Sequence, residues 1–338
     1  MTMIFPLPRV EITHLVDIVE ERPVALLAGE RAWRAVNSLL SLPIVVQANP
    51  ERLESDYLDG LAADLPDDVE VVYGIGGGLV ADASKYIASR RGLPCIIMPT
   101  ALTVDGFFTP IAAMRVRGSV EYVTTGPAEV VYIDWDVIRT APQHYRGAAI
   151  VELLTIVTGL LDWKYAAERN KNKTEMRYIE WAAKIMAGIA QQAFRIAAGV
   201  GRGNVESLRN LLDLMCLEVQ ITNQLGHTRP QEGSEQYFSY ALEPRMVASH
   251  LTYADMVAPG ILIAAALHNQ DVTSIRSTLE SAGIRLDQLS PDDIRDTIKI
   301  LPEYVRKHQL PYSILNDLDL TSERVDEILT QTGLDRSS

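Results

Sequence analysis

The chain has 338 residues, and its 44 acidic side chains against 31 basic ones give a formal net charge of −13. This acidic balance argues against nucleic acid or an anionic membrane surface as a partner, and no apolar run reaches the roughly 18–20 residues that span a bilayer. The two cysteines, Cys95 and Cys216, are too few for a disulfide framework, and the N-terminus lacks the pattern of a signal peptide, so we expect a soluble cytoplasmic protein.

The first part of the chain alternates short apolar strands with helical patterns. Residues 1–22 predict a short strand and a helix. Further strands are expected at Val24–Leu27, Pro43–Gln47, Val69–Tyr73, Pro94–Met98 and Val130–Ile133, a hairpin at Ala112–Arg117 and Val120–Thr124, and helices at Glu30–Leu40 and about 51–63. This alternation is typical of βαβ units and predicts a parallel sheet.

From about Pro142 onwards, long amphipathic helices replace the alternation. They are expected at about 147–168, 174–200, 205–225, 233–243, 253–269, 273–283, 291–307 and 321–333. Ser290 with Pro291 and Thr321 with Ser322 form two of the predicted helix starts. The sequence therefore predicts an α/β dinucleotide-binding domain over residues 1–141, with a Rossmann-like parallel sheet, and an all-α substrate domain over residues 142–338.

A glycine cluster, Gly76–Gly78, joins the apolar run that begins at Val71 to a helical pattern carrying Asp82 and Lys85. Consecutive glycines allow positive φ and remove the Cβ atoms that would block a ligand. The amides at the start of the next helix favour an anion such as a pyrophosphate. An ordinary strand-to-helix turn is the alternative interpretation, since the stretch is neither GxGxxG nor a P-loop.

The next unit supports the ligand-binding interpretation. The strand Pro94–Met98 is followed by a polar turn that contains Thr100, Thr103 and Asp105. In open parallel sheets, ligands bind outside the carboxyl ends of the strands. Both turns are expected at that edge.

In combination, these motifs resemble the glycerol-1-phosphate dehydrogenase family, within the superfamily of iron-containing alcohol dehydrogenases and dehydroquinate synthases. The resemblance rests on four stretches of the sequence, from about residue 20 to 270. They are Gly76–Gly78 with Asp82 and Lys85, Pro99–Gly106 with Thr109 and Pro110, Leu160–Trp163, and Arg229–Glu235. It implies a dehydroquinate synthase-like fold, and it also implies a homodimer or a higher homo-oligomer.

The resemblance further implies that the first domain binds NAD or NADP. The residues expected at the cofactor are Gly76, Gly77, Gly78, Asp82, Thr100, Thr103 and Thr109. Asp105 is expected to face the substrate. The choice between NAD and NADP stays open.

The family holds a catalytic divalent metal, usually zinc, with one Asp and two His, and these positions differ in this chain. By local alignment they fall on Glu152, Gln236 and Tyr253, and a further substrate-side His falls on Tyr240. Zinc prefers His, Cys and carboxylate ligands, so we do not expect a catalytic zinc here. His250 is an alternative shifted ligand, although a surface or helix-capping role is the preferred interpretation.

Because the cofactor motifs are intact while the metal positions have changed, we expect a dinucleotide enzyme with altered chemistry. Tyr240 or Tyr253 would donate or accept the proton, beside the Glu152 carboxylate and the Gln236 amide. Asp105, Glu152, Tyr240 and Tyr253 are the candidate catalytic residues, and Asp105, Gln236 and Tyr240 the candidate substrate contacts.

Three hypotheses follow from this pattern. The first is a metal-independent NAD(P)-dependent oxidoreductase for a small polyol, sugar or keto substrate, phosphorylated or not. The second is a dehydroquinate synthase-like lyase or cyclase that recycles bound NAD. The third is a dinucleotide-binding protein without catalysis.

Overall fold

A computed structural model describes residues 4–246 and 251–335. Its strands are β1 (Arg9–Ile12), β2 (Val24–Ala28), β3 (Ile44–Ala48), β4 (Val71–Gly76), β5 (Cys95–Pro99), β6 (Ile111–Val116), β7 (Ser119–Thr124) and β8 (Val130–Ile133). Its helices are α1 (Glu30–Val36), α2 (Ser55–Ala63), α3 (Gly78–Arg91), α4 (Trp135–Thr140), α5 (Gln143–Arg146), α6 (Ala148–Glu168), α7 (Glu180–Gly201), α8 (Val205–Leu225), α9 (Ser234–Leu242), α10 (Tyr253–Leu267), α11 (Val272–Ala282), α12 (Pro291–Lys307) and α13 (Ser322–Thr332).

The described chain divides into two compact units. The first runs up to Arg146 and also contains Gly203–Gln224, whereas the second comprises Gly147–Arg202 and the chain from Leu225 onwards. The sequence-based boundary at 141/142 differs from this division, because nearly all of α8 belongs to the first unit. The binding roles of the two domains stay predictions.

The first unit is built on a six-stranded parallel sheet with the order β1-β8-β5-β4-β2-β3. The central strands β2, β4 and β5 are buried along their whole length, which explains their continuous apolar runs. The edge strands β1 and β3 are partly exposed. The predicted parallel sheet is confirmed, and so is the antiparallel hairpin β6–β7.

The strand order reverses direction between β2 and β4. From β2 the chain moves outward to β3, and from β4 it moves the opposite way to β5. Such a switch point leaves a crevice at the carboxyl ends of the two neighbouring strands, where open α/β sheets bind ligands. The glycine cluster begins at the carboxyl end of β4 and therefore lies at this point.

The second unit is helical, as predicted. Helix α6 packs on α7, α9 and α10, and α9 also packs on α10 and α12. The predicted cap at Ser290 is confirmed, because its side chain accepts a hydrogen bond from the Asp293 backbone N–H. The cap at Thr321 is confirmed by the same contact with Arg324.

Two predicted helices differ most from the structure. The helix expected within residues 1–22 is wrong: Leu15–Asp17 forms only a 3₁₀ turn, and the backbone N–H of Leu15 donates to the Asp134 carboxylate at 2.8 Å. Helix α7 begins at Glu180 instead of 174. The indole of Trp163 donates to the Met176 carbonyl at 2.7 Å, which holds the preceding segment in a separate turn.

Candidate functional site: a glycine turn and a polar helical cluster

The glycine turn lies between the last residue of β4 and the first turn of α3. Gly76 has a φ of 150°, which a side chain would strain. A Cβ on Gly78 would come within 2.9 Å of the Val104 side chain. Among the described residues, no side chain caps the start of α3, so its first amides remain to bind an anion.

An unsatisfied hydroxyl accompanies this turn. The Oγ1 atom of Thr103 is buried and has no hydrogen-bond partner in the described part of the chain. It lies 3.7 Å from the position that a Cβ on Gly77 would occupy. A buried polar group without a partner is costly, so an orphan hydroxyl beside bare amides fits a polar ligand such as a dinucleotide pyrophosphate and ribose.

Gly29, at the end of β2, forms the other side of this switch point. Its backbone N–H donates to the Ile75 carbonyl at 3.3 Å, and a Cβ there would lie 3.9 Å from Val80. The sequence analysis did not assign this residue, because a single glycine after a strand is an ordinary turn signal. Only the pairing of β2 with β4 places it beside Gly76.

Lys85 on α3 holds the polar turn in place. Its side chain is almost completely buried, and its Nζ donates to the carbonyls of Gly106 at 2.7 Å and of Ile111. It also pairs with the Asp82 carboxylate at 3.1 Å and donates to the Thr109 hydroxyl at 3.2 Å. Lys85 therefore acts as an internal anchor for the turn.

Asp82 and Thr109, two predicted cofactor residues, both take part in this anchor. The second carboxylate oxygen of Asp82 accepts from the Ala113 backbone N–H at 3.1 Å. Both residues are buried. They support the turn that carries Thr103 and Asp105, and their direct contact with a cofactor stays a prediction, as does that of Thr100, which is half-buried.

Asp105 starts a 3₁₀ turn after this segment and lies close to a residue that the sequence analysis missed. Carboxylate oxygens of Asp105 and of Glu218 on α8 lie within 4.8 Å of each other. Glu218 is fully buried. From the sequence, a single Glu in an amphipathic helix is typical of a solvated face, and only the fold brings it to Asp105.

In the helical unit, Asp162 on α6 fixes the start of α9. Its carboxylate accepts from the backbone N–H groups of Ser234 at 2.7 Å and Ile314 at 2.8 Å, and it lies 3.0 Å from the His268 ring. Burial by itself would raise the pKa of Asp162, but the hydrogen bond and charge interaction with His268, together with the hydrogen bonds from Ser234 and Ile314, hold that pKa below its usual value. The motifs Leu160–Trp163 and Arg229–Glu235 therefore meet in space.

Glu235 lies next to this carboxylate, and its pKa is shifted in the opposite direction. It is fully buried, and its Oε1 accepts from the Gly233 backbone N–H at 2.7 Å. Burial, and then the neighbouring Asp162 charge, raise the pKa of Glu235 to about 8. Glu235 is therefore mostly neutral at pH 7.

Gln236 and Tyr253, two of the aligned metal-ligand positions, contact each other directly. The side-chain amide of Gln236 donates to the phenolic oxygen of Tyr253. Gln236 is buried in the first turn of α9, and Tyr253 is the first residue of α10. The capping box of Thr252 and Asp255 fixes the start of α10. His250 lies outside the described residues.

Tyr240 and Glu232 form a second polar contact in this unit. The Tyr240 hydroxyl donates to Glu232 Oε1 at 3.0 Å, and the Thr228 hydroxyl donates to Glu232 Oε2. Arg229 supports the same loop, because its guanidinium donates to the Glu232 backbone carbonyl at 3.1 Å. The sequence analysis did not assign Glu232, since one more acidic residue in a polar loop carries no signal.

The residues at the aligned metal positions differ from the one Asp and two His that the family resemblance implies. Glu152 is buried on α6 and offers a carboxylate. Gln236 offers only a neutral amide oxygen, since its amide nitrogen is a donor and is bonded to Tyr253. The phenol of Tyr253 has a reference pKa near 10 and is a poor metal ligand in its neutral form. Catalytic zinc sites use three protein ligands, drawn from His, Cys and carboxylate side chains, and only Glu152 belongs to that set.

Comparison with known proteins shows what this chain is similar to. Residues 11–142 match the family described as iron-containing alcohol dehydrogenase. The NAD(P)+ glycerol-1-phosphate dehydrogenase of Hyperthermus butylicus is 27% identical over 92% of this chain and 90% of its own length. The one from Aeropyrum pernix is 29% identical over 87% and 82%.

This chain is similar to the glycerol-1-phosphate dehydrogenases and, over residues 11–142, to the iron-containing alcohol dehydrogenases. Its fold agrees: the crystal structure of a probable glycerol dehydrogenase from Sinorhizobium meliloti matches with a TM-score of 0.72, at 17% identity, over 99% of both chains. The resemblance seen in the sequence is thereby confirmed. None of the helices in the described part of the chain combines the length and apolar composition that crossing a bilayer requires.

Proposed function

We propose that this glycerol-1-phosphate dehydrogenase-like protein is an NAD(P)-dependent oxidoreductase that acts on a small polyol, sugar or keto substrate without a catalytic zinc. The observation that carries the proposal is the glycine turn at the β2/β4 switch point, with its uncapped α3 amides and the orphan Thr103 hydroxyl. The names of the relatives from Hyperthermus butylicus and Aeropyrum pernix support NAD(P) as the ligand of this turn.

The residues of the first unit would hold the cofactor by backbone and hydroxyl contacts. Gly76–Gly78 and the first amides of α3 would bind the pyrophosphate, and the buried Thr103 hydroxyl would gain its missing partner. Lys85 would keep the turn shaped for binding. When bound, the cofactor supplies or accepts a hydride.

The helical unit would replace the metal with hydrogen-bonding side chains. A family zinc would polarise the substrate oxygen. A phenol aimed at the same oxygen can perform this task by hydrogen bonding and proton transfer. The contacts of Tyr253 with Gln236 and of Tyr240 with Glu232 place two such phenols in polar surroundings.

The test is an assay of NADH and NADPH oxidation by the purified protein, with dihydroxyacetone, glyceraldehyde and dihydroxyacetone phosphate as substrates. We expect steady, substrate-dependent oxidation of one of the two cofactors. Calorimetric titration of each dinucleotide gives binding independently of turnover.

The outcomes separate the proposal from its alternatives. Bound cofactor that never turns over in net oxidation would favour a lyase or cyclase that recycles it. Dinucleotide binding without any reaction would favour a non-catalytic binding protein. Failure to bind either dinucleotide would contradict the assignment of the glycine turn.

A further inference from the structure

The end of β2 borders the glycine turn that is proposed to bind the pyrophosphate. Ala28, the last residue of β2, pairs with Ile75 of β4, so Gly29 lies beside Gly76. A Cβ on Gly76 would lie 3.6 Å from the Cβ of Ala32, in the first turn of α1. The chain from Gly29 to the first turn of α1 is therefore next to the proposed cofactor site.

The two halves of a bound dinucleotide would extend in opposite directions from the pyrophosphate at this turn. On one side, β5 pairs with β4 and leads into the turn that carries Thr103 and Asp105. Because Asp105 is expected to face the substrate, the nicotinamide half belongs on the β5 side. The adenosine half is then left with the β2 side, where its ribose would lie near Gly29.

The carboxylate that typically selects NAD is missing at this position. In dinucleotide-binding folds, an Asp or Glu hydrogen-bonds the ribose 2′-hydroxyl of NAD, whereas a nearby Arg accommodates the 2′-phosphate of NADP. In this chain residue 29 is a glycine, which has no side chain. The carboxylate of the next residue, Glu30, is already paired with Arg34 at 2.5 Å.

Arg31 supplies the group that would select NADP instead. Its side chain is exposed in the first turn of α1, and it forms no hydrogen bond or ion pair with the residues that the structure describes. A guanidinium matches the geometry of a phosphate and can bind two of its oxygens at once. The charge of Arg31 is thus available to an anionic ligand beside the end of β2.

Building on the proposed function, we infer that the protein prefers NADP(H) over NAD(H), and that Arg31 determines this preference by binding the 2′-phosphate beside Gly29. Gly29 contributes by leaving out the carboxylate that would repel this phosphate. All of these residues belong to the first unit.

The experiment is calorimetric titration of the wild-type protein and Arg31→Ala with NADPH and NADH. The wild-type protein should bind NADPH at least about 10-fold more tightly than NADH. Arg31→Ala should lose about 10-fold in affinity for NADPH and keep its affinity for NADH, because NADH lacks the 2′-phosphate. Adenosine 2′,5′-bisphosphate and AMP, which carry only the adenosine half, should show the same difference.

Gly29→Asp tests the same position from the opposite direction. The backbone angles of Gly29 (φ −67°, ψ 137°) are allowed for any residue, and Asp is favourable before a helix start, so the variant should fold. A Cβ there would lie 3.9 Å from Val80, which is an ordinary contact. The new carboxylate should lower NADPH affinity by about 10-fold or more, while NADH affinity is kept or increased.

Arg90→Ala is the matched control for Arg31→Ala. It removes an exposed arginine of the same unit, which is paired with Asp59 near the last residue of α3 and away from the glycine turn. Both dinucleotide affinities should stay at their wild-type values.

The inference is overturned if the wild-type protein binds NADH as tightly as NADPH, or if Arg31→Ala weakens both cofactors equally or neither. A wild-type protein that binds neither dinucleotide would instead contradict the glycine turn as a cofactor site, and with it the proposed function. Whether the wild-type protein binds any dinucleotide thus distinguishes the two failures.

Discussion

At the scale of the residue, Gly77 is the most direct probe of the cofactor site. Its φ of −97° suits any residue, and a Cβ there would lie 3.7 Å from the Thr103 hydroxyl, so a substitution should fold. Gly77→Asp would place a negative charge where the pyrophosphate is proposed to bind. We predict a loss of dinucleotide affinity of about 30-fold or more, that is about 2 kcal/mol, measured by calorimetric titration.

Gly60→Asp provides the matched control for that substitution. Gly60 is exposed on α2, and a Cβ there meets nothing within 4 Å. The substitution Gly60→Asp adds the same charge to the same unit but away from the glycine turn, so dinucleotide affinity should not change. Equal affinities for both variants would contradict a pyrophosphate site at the glycine turn.

Glu235 gives a prediction about pH. In the unfolded chain its pKa is near 4.5, and in the folded protein it is about 8. The folded state therefore holds the proton over this range while the unfolded state has lost it, so stability falls as the pH rises from about 4.5 to 8. Glu235→Gln should remove this dependence, and its melting temperature should exceed the wild-type value by a margin that grows from pH 5 to pH 8.

The control for the Glu235 prediction is Glu168→Gln, at an exposed carboxylate on α6. It removes the same charge without removing a buried group. Its melting temperature should follow the wild-type pH profile. If Glu235→Gln also follows that profile, the prediction that Glu235 is buried in its neutral form is contradicted.

At the scale of the element, Asp162 determines where α9 begins and hence where Gln236 and Tyr240 lie. The Asp162 carboxylate contacts Ser234, Ile314 and His268. In Asp162→Asn, an amide N–H would replace one of its accepting oxygens and would face a hydrogen-bond donor. We predict a loss of about 3 kcal/mol in the free energy of unfolding, measured by urea denaturation, and a lower kcat. Asp317→Asn, at a half-exposed carboxylate paired with Arg169, should cost less than about 1 kcal/mol.

The elements also show what the sequence could predict. The strands were predictable because apolar runs end at glycine and proline, and the helix caps at Ser290 and Thr321 follow local chemistry. The start of α7 could not be predicted, because it depends on a hydrogen bond from the Trp163 indole to the Met176 carbonyl. Trp163 lies on the preceding helix α6, far in sequence from the start of α7. Local patterns carry no information about such contacts.

The same limit applies to the candidate site. The glycine turn and the altered positions Glu152, Gln236 and Tyr253 could be found by motif, because each lies in a short recognisable stretch. Glu218 could not, since its approach to Asp105 depends on the placement of α8. The direction of each phenolic hydrogen bond also requires coordinates.

At the scale of the whole molecule, a fold shared with iron-containing alcohol dehydrogenases carries a glycine turn that we propose binds a dinucleotide, and it carries Glu, Gln and Tyr at the aligned metal positions. With a net charge of −13, the chain as a whole repels an anionic cofactor, so binding must depend on the local amides of α3. We therefore expect dinucleotide affinity to depend on Gly76–Gly78 far more than on ionic strength.

The most direct measurement is the rate of substrate-dependent NAD(P)H oxidation by protein treated with EDTA and freed of metal, with and without added zinc. We predict that both samples turn over at rates within about twofold of each other, since hydrogen bonds from the protein would replace Lewis-acid polarisation. Activity that disappears with EDTA and returns only with zinc would contradict it.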